Sequence, residues 1–332
     1  MSRVAAIDCG TNSLRMLIAD VTPAQGRLTD VLRRMEVVRL GEGVDATGKL
    51  APEAVGRTLG MLAEYAQQVR QSGATAVRMV ATSASRDAAN AAEFTGGVTD
   101  ILGVPPEVIT GTQEARLTFD GATAELTAGT GGATGATGVA AGYPPPFLVV
   151  DIGGGSTEFV VGPGVDPAAP GDGPEPAAIS VDIGCVRLTE RHLHSDPPTP
   201  AQIEAATADI DAALARVTAA VPATSARTLL GLAGSVATIA AIALGLPAYD
   251  SARIHHTRVP SGQVTEITRM LLRQTRRERA AIGPMHPGRA DVIGGGALIL
   301  DRLLDRLGFA EVVQSEHDIL DGIAWQLAVG PR

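Results

Sequence analysis

The sequence predicts an α/β protein made of two similar halves. Apolar segments of strand length alternate with helix-length segments along the chain, which is the pattern of an α/β fold. A short motif at residues 7–13 recurs at residues 150–157. The length of 332 residues is sufficient for about two domains of roughly 150 residues each. We therefore expect each half to contain one copy of the motif.

The first half is expected to begin with two strands joined by a polar turn. Residues 3–20 contain an apolar strand, the turn at residues 8–13 and a second apolar strand. Pro52 suits the first turn of a following helix. The remaining predicted elements of this half are a strand at 35–40, a helix at 52–71, a strand at 77–81, a helix at 83–94, a strand at 108–110 and a helix from about Thr112.

The second half is expected to be richer in helices. An uncharged run at residues 229–248 has the length that spans a bilayer. Its glycines and hydroxyl residues, and the lack of flanking aromatic anchors, favour a buried strand, a glycine turn and a buried helix instead. Two Gly/Pro/Ala-rich segments, 129–146 and 162–176, are expected to be mobile loops. Helices are predicted at 201–221, 262–281, 290–307 and 320–329.

The composition excludes several classes of protein. With 27 basic and 36 acidic residues the chain has a formal charge of −9, so no general nucleic-acid footprint is expected. One Trp, three Tyr and five Phe leave little surface on which to stack bases. Cys9 and Cys185 have no zinc or disulfide spacing. Asp8 interrupts the N-terminus before a signal peptide forms, so a cytoplasmic protein without membrane partners is expected.

The two copies of the motif are suited to phosphate. Each copy ends a strand with an Asp, turns on glycine and supplies hydroxyl groups, so backbone N–H and side-chain donors point into the turn. Asp8 and Asp151 are candidate ligands for a divalent cation that bridges phosphate oxygens. A single turn of this kind is typical of an ordinary hairpin. Two copies, together with Glu158, favour metal-phosphate chemistry.

Two other candidate motifs, a Walker loop and a histidine metal pair, do not fit the sequence. Residues 43–49 have the spacing of a Walker loop, but Leu50 replaces the hydroxyl that would bind magnesium. The adjacent His255 and His256 lack the i, i+4 spacing of a helical metal pair. These histidines are therefore interpreted as surface or hydrogen-bonded residues.

Seven segments carry a family resemblance. They are residues 8–13, 81–88, 111–117, 151–158, 184–190, 231–235 and 289–293. In order, these segments resemble motifs of the exopolyphosphatase/guanosine pentaphosphate phosphatase family, in its short two-domain form. The resemblance covers nearly the whole chain apart from the two Gly/Pro-rich segments.

The resemblance implies an actin-like fold (sugar kinase, Hsp70, actin), with two ribonuclease-H-like domains around a cleft. The internal repeat independently indicates two similar halves. The expected first domain comprises residues 1–120 with a C-terminal helix at 308–332 that returns to it. The expected second domain comprises residues 121–307. A homodimer is also expected, from the resemblance alone.

The resemblance also implies roles for particular residues. Glu114 is expected to activate the attacking water, and Asp151 and Glu158 are expected to hold Mg²⁺ or another divalent cation. Asp8 is the third expected cation ligand. The expected phosphate-binding residues are Gly10, Thr11, Asn12, Ser13, Arg86, Gly153, Gly154, Gly155, Ser156, Thr157, Gly234 and Ser235.

Several of these assignments have a structural alternative. The alternatives are that Glu114 complements a helix dipole, that Arg86 forms an exposed ion pair near Asp87, and that Ser235 is a helix N-cap. Many relatives have two adjacent acids where this chain has Gln113 and Glu114. The contribution of Gln113 to metal binding or water orientation is therefore open.

The implied activity is a magnesium-dependent exopolyphosphatase that releases orthophosphate from the ends of inorganic polyphosphate. Removal of the 5′ γ-phosphate of guanosine pentaphosphate is the alternative within the family, because both substrates present a terminal phosphoanhydride. An alarmone-binding protein with little turnover, for guanosine penta- or tetraphosphate, is an alternative from another class. An actin-fold kinase is disfavoured because no sugar or acetate pocket is recognisable.

One predicted helix, at 262–281, carries a basic face. It places four arginines at i, i+4, i+7 and i+8, namely Arg269, Arg273, Arg276 and Arg277. A solvated face is slightly favoured over a substrate contact. A short form has less surface for a long chain, so weaker processivity or a preference for shorter polyphosphates is a hypothesis.

Overall fold

A computed structural model describes residues 1–127, 142–165 and 175–330 of the chain. The described residues form two compact units. The first takes its residues from Met1–Pro144, Pro163–Glu175 and His317–Arg332, and the second from Pro145–Gly162 and Pro176–Glu316. The two segments predicted to be mobile loops fall largely outside the described residues.

The first unit is built on a five-stranded sheet in the order β3-β2-β1-β4-β5. Strands β1 (Ser2–Cys9), β2 (Ser13–Thr22) and β3 (Arg27–Val37) are antiparallel neighbours. Strands β4 (Ala76–Ala81) and β5 (Glu107–Val108) continue the sheet in parallel with β1. Its helices are α1 (Val44–Thr47), α2 (Pro52–Ser72), α3 (Ser83–Asp87), α4 (Ala91–Leu102), α5 (Gly111–Thr127) and α13 (Ile319–Val329).

Both faces of this sheet are covered by helices. Alternate residues of β1 point to opposite faces, so Ile7 packs with Leu62 of α2 on one side. Val4 packs with Leu117 of α5 and Ile323 of α13 on the other side. The near-continuous apolar run of β1 is explained by this burial on both faces.

The second unit is built on a six-stranded sheet in the order β10-β11-β9-β6-β7-β8. Its antiparallel strands are β6 (Phe147–Ile152), β7 (Thr157–Gly162) and β8 (Ala177–Val181). Strands β9 (Thr228–Leu232) and β11 (Glu311–Gln314) follow in parallel, and β10 (Arg258–Pro260) pairs with the outer edge. Its helices are α6 (Cys185–His192), α7 (Pro200–Ala220), α8 (Ala233–Ala243), α9 (Ser251–Ile254), α10 (Ser261–Arg273), α11 (Arg276–Ala280) and α12 (Ile293–Leu307).

The two sheets repeat one topology. Three antiparallel strands, β3-β2-β1 and β8-β7-β6, are followed by two parallel strands, β4-β5 and β9-β11. This is the strand order of a ribonuclease-H-like domain, and it occurs once around each copy of the sequence motif. The predicted actin-like fold class with two such domains is confirmed.

Several predicted elements have different limits in the structure. The strand expected at 35–40 begins at Arg27. The helix expected at 83–94 is two helices, α3 and α4, because the Asn90 side chain binds the backbone N–H and carbonyl of Leu50. The helix expected at 262–281 is interrupted at Gln274 between α10 and α11. The prediction of one basic face on a single helix was therefore wrong.

The uncharged run at 229–248 forms most of β9 and all of α8, as predicted, but the junction between them lies at Ala233, with a φ of 67°, and not at a glycine turn. Most of its apolar side chains lie in the core of the second unit, whereas Leu244 is exposed. Over the described ranges, no helix has both the length and the apolarity that a bilayer crossing requires.

The compact units and the expected domain limits differ in two places. The expected limit at residue 120 falls within α5, which runs unbroken to Thr127. The expected start of the returning segment at residue 308 comes before β11, which pairs with β9 in the second unit. The segment that packs in the first unit begins at His317.

Candidate functional site

Each of the two motif turns is closed by an equivalent backbone hydrogen bond. The N–H of Gly10 donates to the carbonyl of Ser13 at 3.0 Å, and the N–H of Gly153 donates to the carbonyl of Ser156 at 3.0 Å. In each unit this bond closes the turn between two antiparallel strands. The repeat seen in the sequence is therefore a repeat of local backbone structure.

In the first unit, the carbonyl groups of the turn are already hydrogen-bonded. The Thr11 carbonyl accepts from Gly41 N at 2.8 Å, and the Asn12 carbonyl accepts from Val38 N at 3.0 Å. The Thr11 hydroxyl is paired with the Ser83 hydroxyl at 2.7 Å. Among the described residues, the N–H groups of Thr11 and Asn12 donate no hydrogen bond. The turn thus offers donors to an anion, while its carbonyl groups are held by neighbouring backbone.

The second turn is arranged in the same way by helix α6. Gly153 and Gly154 carbonyls accept from the first N–H groups of α6, with Cys185 N at 2.9 Å from the Gly153 oxygen. A Cβ on Gly184 would lie 2.3 Å from the Gly154 oxygen, so only glycine allows this approach. Within the described part of the chain, the N–H groups of Gly154 and Gly155 donate no hydrogen bond.

The hydroxyl groups of the second turn differ from one another. The Thr157 hydroxyl donates to the Ile183 carbonyl at 2.6 Å and is fully buried, so it holds β7 to the segment before α6. Ser156 is also buried, at 3% exposure. The first turn keeps Thr11 buried at 7%, whereas Asn12 and Ser13 are half-buried.

The strand-end acid of the first unit is paired with an arginine. Asp8 on β1 lies directly opposite Arg15 on β2, and its Oδ2 accepts from Arg15 Nε at 2.9 Å and from Nη2 at 2.6 Å. Arg15 Nη1 also donates to Asp318, the N-cap of α13. Asp8 Oδ1 is buried and has no hydrogen-bond partner among the described residues. Burial raises the pKa of Asp8, and Arg15 opposes that rise.

The strand-end acid of the second unit is paired with another acid. Asp151 on β6 lies directly opposite Glu158 on β7, and both are buried, at 7% and 1% exposure. The Ser180 hydroxyl donates to Glu158 Oε1 at 2.7 Å. Directly opposed like charges destabilise a sheet, so a cation between these carboxylates is stabilising.

These carboxylates fit a divalent cation. Oxygen donors from Asp and Glu are the ligands that Mg²⁺ prefers. Asp151 and Glu158 supply two such groups on one face of the sheet. In the other unit, the orphaned Asp8 Oδ1 is a buried acceptor suited to a cation or to a water bound to one.

Glu114 and Arg86 are brought together in the first unit. Glu114 lies in the first turn of α5, and its Oε2 is 3.5 Å from Arg86 Nη1 on α3. Arg86 also donates to the Ile109 carbonyl at 3.0 Å, while Asp87 is 3.9 Å away. The Glu114 side chain is only 13% exposed. The pairing of Arg86 is therefore closer with Glu114 than with Asp87, the partner considered from the sequence.

Gln113 has a defined structural role. Its Oε1 accepts from Thr110 N at 2.9 Å and from the Thr110 hydroxyl at 3.1 Å, and its own N–H donates to the Thr110 hydroxyl at 3.2 Å. This reciprocal arrangement is a capping box at the start of α5. The residue that stands where many relatives have an acid thus stabilises the helix that carries Glu114.

The Gly234–Ser235 segment forms the first turn of α8. Leu232 is the N-cap, so the N-cap alternative for Ser235 is wrong. Ser235 is 5% exposed, and burial raises the pKa of the Cys185 thiol to about 11, although the nearby Ser235 opposes that rise. A Cβ on Gly234 would lie 2.2 Å from Arg289 Cζ, so the guanidinium lies directly over this glycine.

No role was predicted from the sequence for Arg15, Ser83 or Arg289. The first had a signal: Arg15 follows Asp8 by seven residues, as Glu158 follows Asp151. Alignment of the two repeats would have placed them at the same strand position. The contacts of Ser83 with Thr11 and of Arg289 with Gly234 join segments distant in the sequence, so no local pattern indicated them.

Comparison with known proteins gives a consistent result. The model of the Ppx/GppA phosphatase family matches residues 17–328. Exopolyphosphatase 2 of Mycobacterium tuberculosis H37Rv is 49% identical over 339 aligned positions, and the alignment covers 99% of this chain and 99% of that protein.

Solved structures agree with this match. An exopolyphosphatase-like protein is 40% identical with a TM-score of 0.87, over 98% of this chain and 99% of its own. The PPX-GPPA enzyme of Aquifex aeolicus is 29% identical with a TM-score of 0.75, over 98% and 99% of the two chains. The shared fold therefore extends over almost the whole of each chain.

Proposed function

Since this chain belongs to the Ppx/GppA phosphatase family, we propose that it releases orthophosphate from the ends of inorganic polyphosphate with the help of Mg²⁺. The chain is an enzyme that hydrolyses phosphoanhydride bonds. The observation that carries the polyphosphate assignment is the full-length identity of 49% to a mycobacterial exopolyphosphatase. The cytoplasmic location and the homodimer expected from the sequence stay predictions.

In this proposal Glu114 is the general base. Its carboxylate accepts a proton from the attacking water and thereby orients the water toward the terminal phosphorus. Arg86 lies 3.5 Å from Glu114, and its positive charge would attract an oxygen of the phosphate that the water attacks. The capping box of Gln113 and Thr110 supports this geometry because it fixes the first turn of α5.

Asp151 and Glu158 would hold the divalent cation. A bound cation would neutralise charge on the phosphoryl group as its bond to the leaving phosphate breaks. Asp151 and Glu158 lie opposite each other on two neighbouring strands, so both carboxylates point to one side of the sheet before the reaction begins. Ser180 holds Glu158 by a 2.7 Å hydrogen bond, which limits its rotation.

The two glycine turns would bind phosphate oxygens. Their carbonyl groups are hydrogen-bonded to neighbouring backbone, which supports an anion-facing role for the remaining N–H groups of Thr11, Asn12, Gly154 and Gly155. Arg289 would add a guanidinium beside Gly234. Asp8, held by Arg15, would contribute its Oδ1 to a cation or its water.

The test is orthophosphate release with Mg²⁺ from tripolyphosphate, long-chain polyphosphate and guanosine pentaphosphate. We expect release from both polyphosphates, and a loss of about 10³-fold in kcat for Glu114→Gln, because general-base catalysis contributes 10²–10⁴-fold. Glu93→Gln is the matched control, since Glu93 also lies in the first turn of a helix but is exposed.

Three outcomes contradict parts of this proposal. Release from guanosine pentaphosphate alone would transfer the assignment to that substrate. Equal activity of Glu114→Gln and Glu93→Gln would reduce Glu114 to a helix-dipole role. No release from any substrate, with tight alarmone binding, would replace the enzyme assignment by a sensory one.

A further inference from the structure

Four arginines of the second unit form an exposed basic patch, called here the α10–α11 patch: Arg269, Arg273, Arg276 and Arg277. In the part of the chain that the structure describes, their side chains make no hydrogen bond or ion pair. Arginine in this protein is otherwise often paired, as Arg302 is with Asp211 at 2.9 Å. Four unpaired arginines within nine residues stand out in a chain whose formal charge is −9.

The local fold keeps these charges outward. Arg269 and Arg273 are one turn apart on the exposed side of α10, whose other side buries Val264, Ile267 and Leu271. The chain then turns at Gln274 and begins α11 with the other two arginines. The interruption of the expected single helix thus preserves a continuous basic segment across two helices.

Nearby acids neutralise the patch only in part. Asp196 is paired with the buried Arg279, and Asp211, which lines a groove with Arg269 and Arg273, is bound by Arg302. Glu278 accepts from the neutral Thr275 N–H and hydroxyl, both at 2.8 Å, and keeps its charge. Glu204, Glu266 and Glu278 are exposed, so the four arginines exceed these three acids by one positive charge.

The patch is linked to the phosphate-binding end of the same unit. Arg279 of α11 is buried and its Nε donates at 2.7 Å to the carbonyl of Ala290. Ala290 follows Arg289, whose guanidinium lies over Gly234. Burial lowers the pKa of Arg279, and the positive charge of Arg276 lowers it further. The patch and the loop of Arg289 are therefore joined through one buried side chain.

We propose that the α10–α11 patch binds the distal phosphates of a long polyphosphate chain whose end is being hydrolysed. This inference rests on the proposed function and adds a second contact for the same substrate. Guanidinium groups stay charged and bind phosphate oxygens in a bidentate manner. A row of them releases counterions from a polyanion and so favours long chains over short ones.

The experiment compares the variant R269Q/R273Q/R276Q/R277Q with the wild type on tripolyphosphate and on long-chain polyphosphate. We expect KM for the long chain to rise about tenfold and to lose part of its salt dependence, because fewer counterions are released. The kcat and KM for tripolyphosphate should stay within about twofold, since exposed charges contribute little to stability. The control variant R216Q/R227Q removes two exposed arginines elsewhere in the second unit.

Binding of long-chain polyphosphate without hydrolysis, measured by titration in the absence of divalent cation, separates the two proposals. Weaker binding by the patch variant than by the control variant supports the patch even if neither substrate is hydrolysed. Equal binding and equal KM for the long chain in all three proteins overturn it, while activity on tripolyphosphate would leave the proposed function intact. A parallel loss on tripolyphosphate would also overturn it, because the effect would not depend on chain length.

Discussion

Glu158 lies directly opposite Asp151 across the β6–β7 ladder, at the strand position that Arg15 occupies opposite Asp8 in the other unit. One repeat therefore places a cationic side chain beside its strand-end acid, and the other places a second acid there. The first arrangement neutralises a buried carboxylate internally, whereas the second leaves two opposed carboxylates that an added cation would stabilise. The chemistry of the two turns diverges at this one position.

We expect Asp151→Asn and Glu158→Gln to lower orthophosphate release by at least about 10²-fold, because each removes a carboxylate from the proposed cation site. A second readout is independent of turnover. Mg²⁺ should raise the Tm of the wild type by a few degrees through its binding to the folded state, and should not raise that of either variant. Scanning calorimetry with and without Mg²⁺ measures this.

Asp182→Asn is the control for these variants, since Asp182 is an exposed acid next to β8 in the same unit. It should respond to Mg²⁺ as the wild type does. A normal Mg²⁺-dependent rise in Tm for Asp151→Asn would show that this carboxylate is not a cation ligand.

Gln113→Ala should lower the free energy of unfolding by about 1 kcal/mol, because the capping box with Thr110 is lost. Gln113→Glu should retain the cap and keep kcat within about twofold of the wild type. Urea denaturation and steady-state kinetics test the two variants. A gain of about tenfold or more in activity for Gln113→Glu would instead indicate that the missing acid limits catalysis.

Gly121→Ala should destabilise the protein by about 3 kcal/mol, because a Cβ at this position would lie 1.9 Å from the carbonyl oxygen of Asp318. Helix α13 would have to move away from α5. Gly56→Ala, in the exposed interior of α2 with open space around it, should stabilise by about 0.5–1 kcal/mol. Similar unfolding energies for both variants would contradict the close approach of α5 and α13.

Asp120→Asn should change the pH dependence of stability. Burial raises the pKa of Asp120 to about 6, although Arg116 opposes that rise. The folded state then binds a proton that the unfolded state has lost, so stability falls as the pH rises from about 4 to about 6. The Asp120→Asn variant lacks this pH-dependent loss of stability. It should be more stable than the wild type by about 2 kcal/mol at about pH 8, with little difference at about pH 4.

Urea denaturation at the two pH values measures this difference. Asp100→Asn, which removes an exposed acid on α4, is the matched control for the loss of one carboxylate. An Asp120→Asn variant that is less stable at high pH would show that the ionised carboxylate is stabilised by its neighbours.

The fold class and the two turns were predictable because their causes are local. In each turn the N–H of Gly10 or Gly153 donates to the serine carbonyl three residues later, and the apolar runs on either side form the strands. The break between α3 and α4 was not predictable, because Asn90 binds the backbone of Leu50, 40 residues earlier. The position of Arg289 over Gly234 likewise depends on packing between distant segments.

The candidate site shows the same division. The family resemblance predicted roles for Asp151, Glu158 and Glu114, and these roles stay predictions. The structure shows that the seven-residue spacing places Asp151 and Glu158 opposite each other on β6 and β7. The Arg15–Asp8 pair has the same spacing and was accessible by the same reasoning. The proximity of Arg86 to Glu114 required the structure, because it depends on how α3 packs beside the start of α5.

Helix α13 supplies Ile319, Ile323 and Trp325 to the apolar layer that Val4 and Leu117 also form. A ribosome adds these α13 residues only after every residue of the second unit has been made. The first unit therefore emerges early but keeps an open apolar face until synthesis reaches α13. The second unit can complete its core sooner, so the order in which the two units mature is the reverse of the order in which they begin.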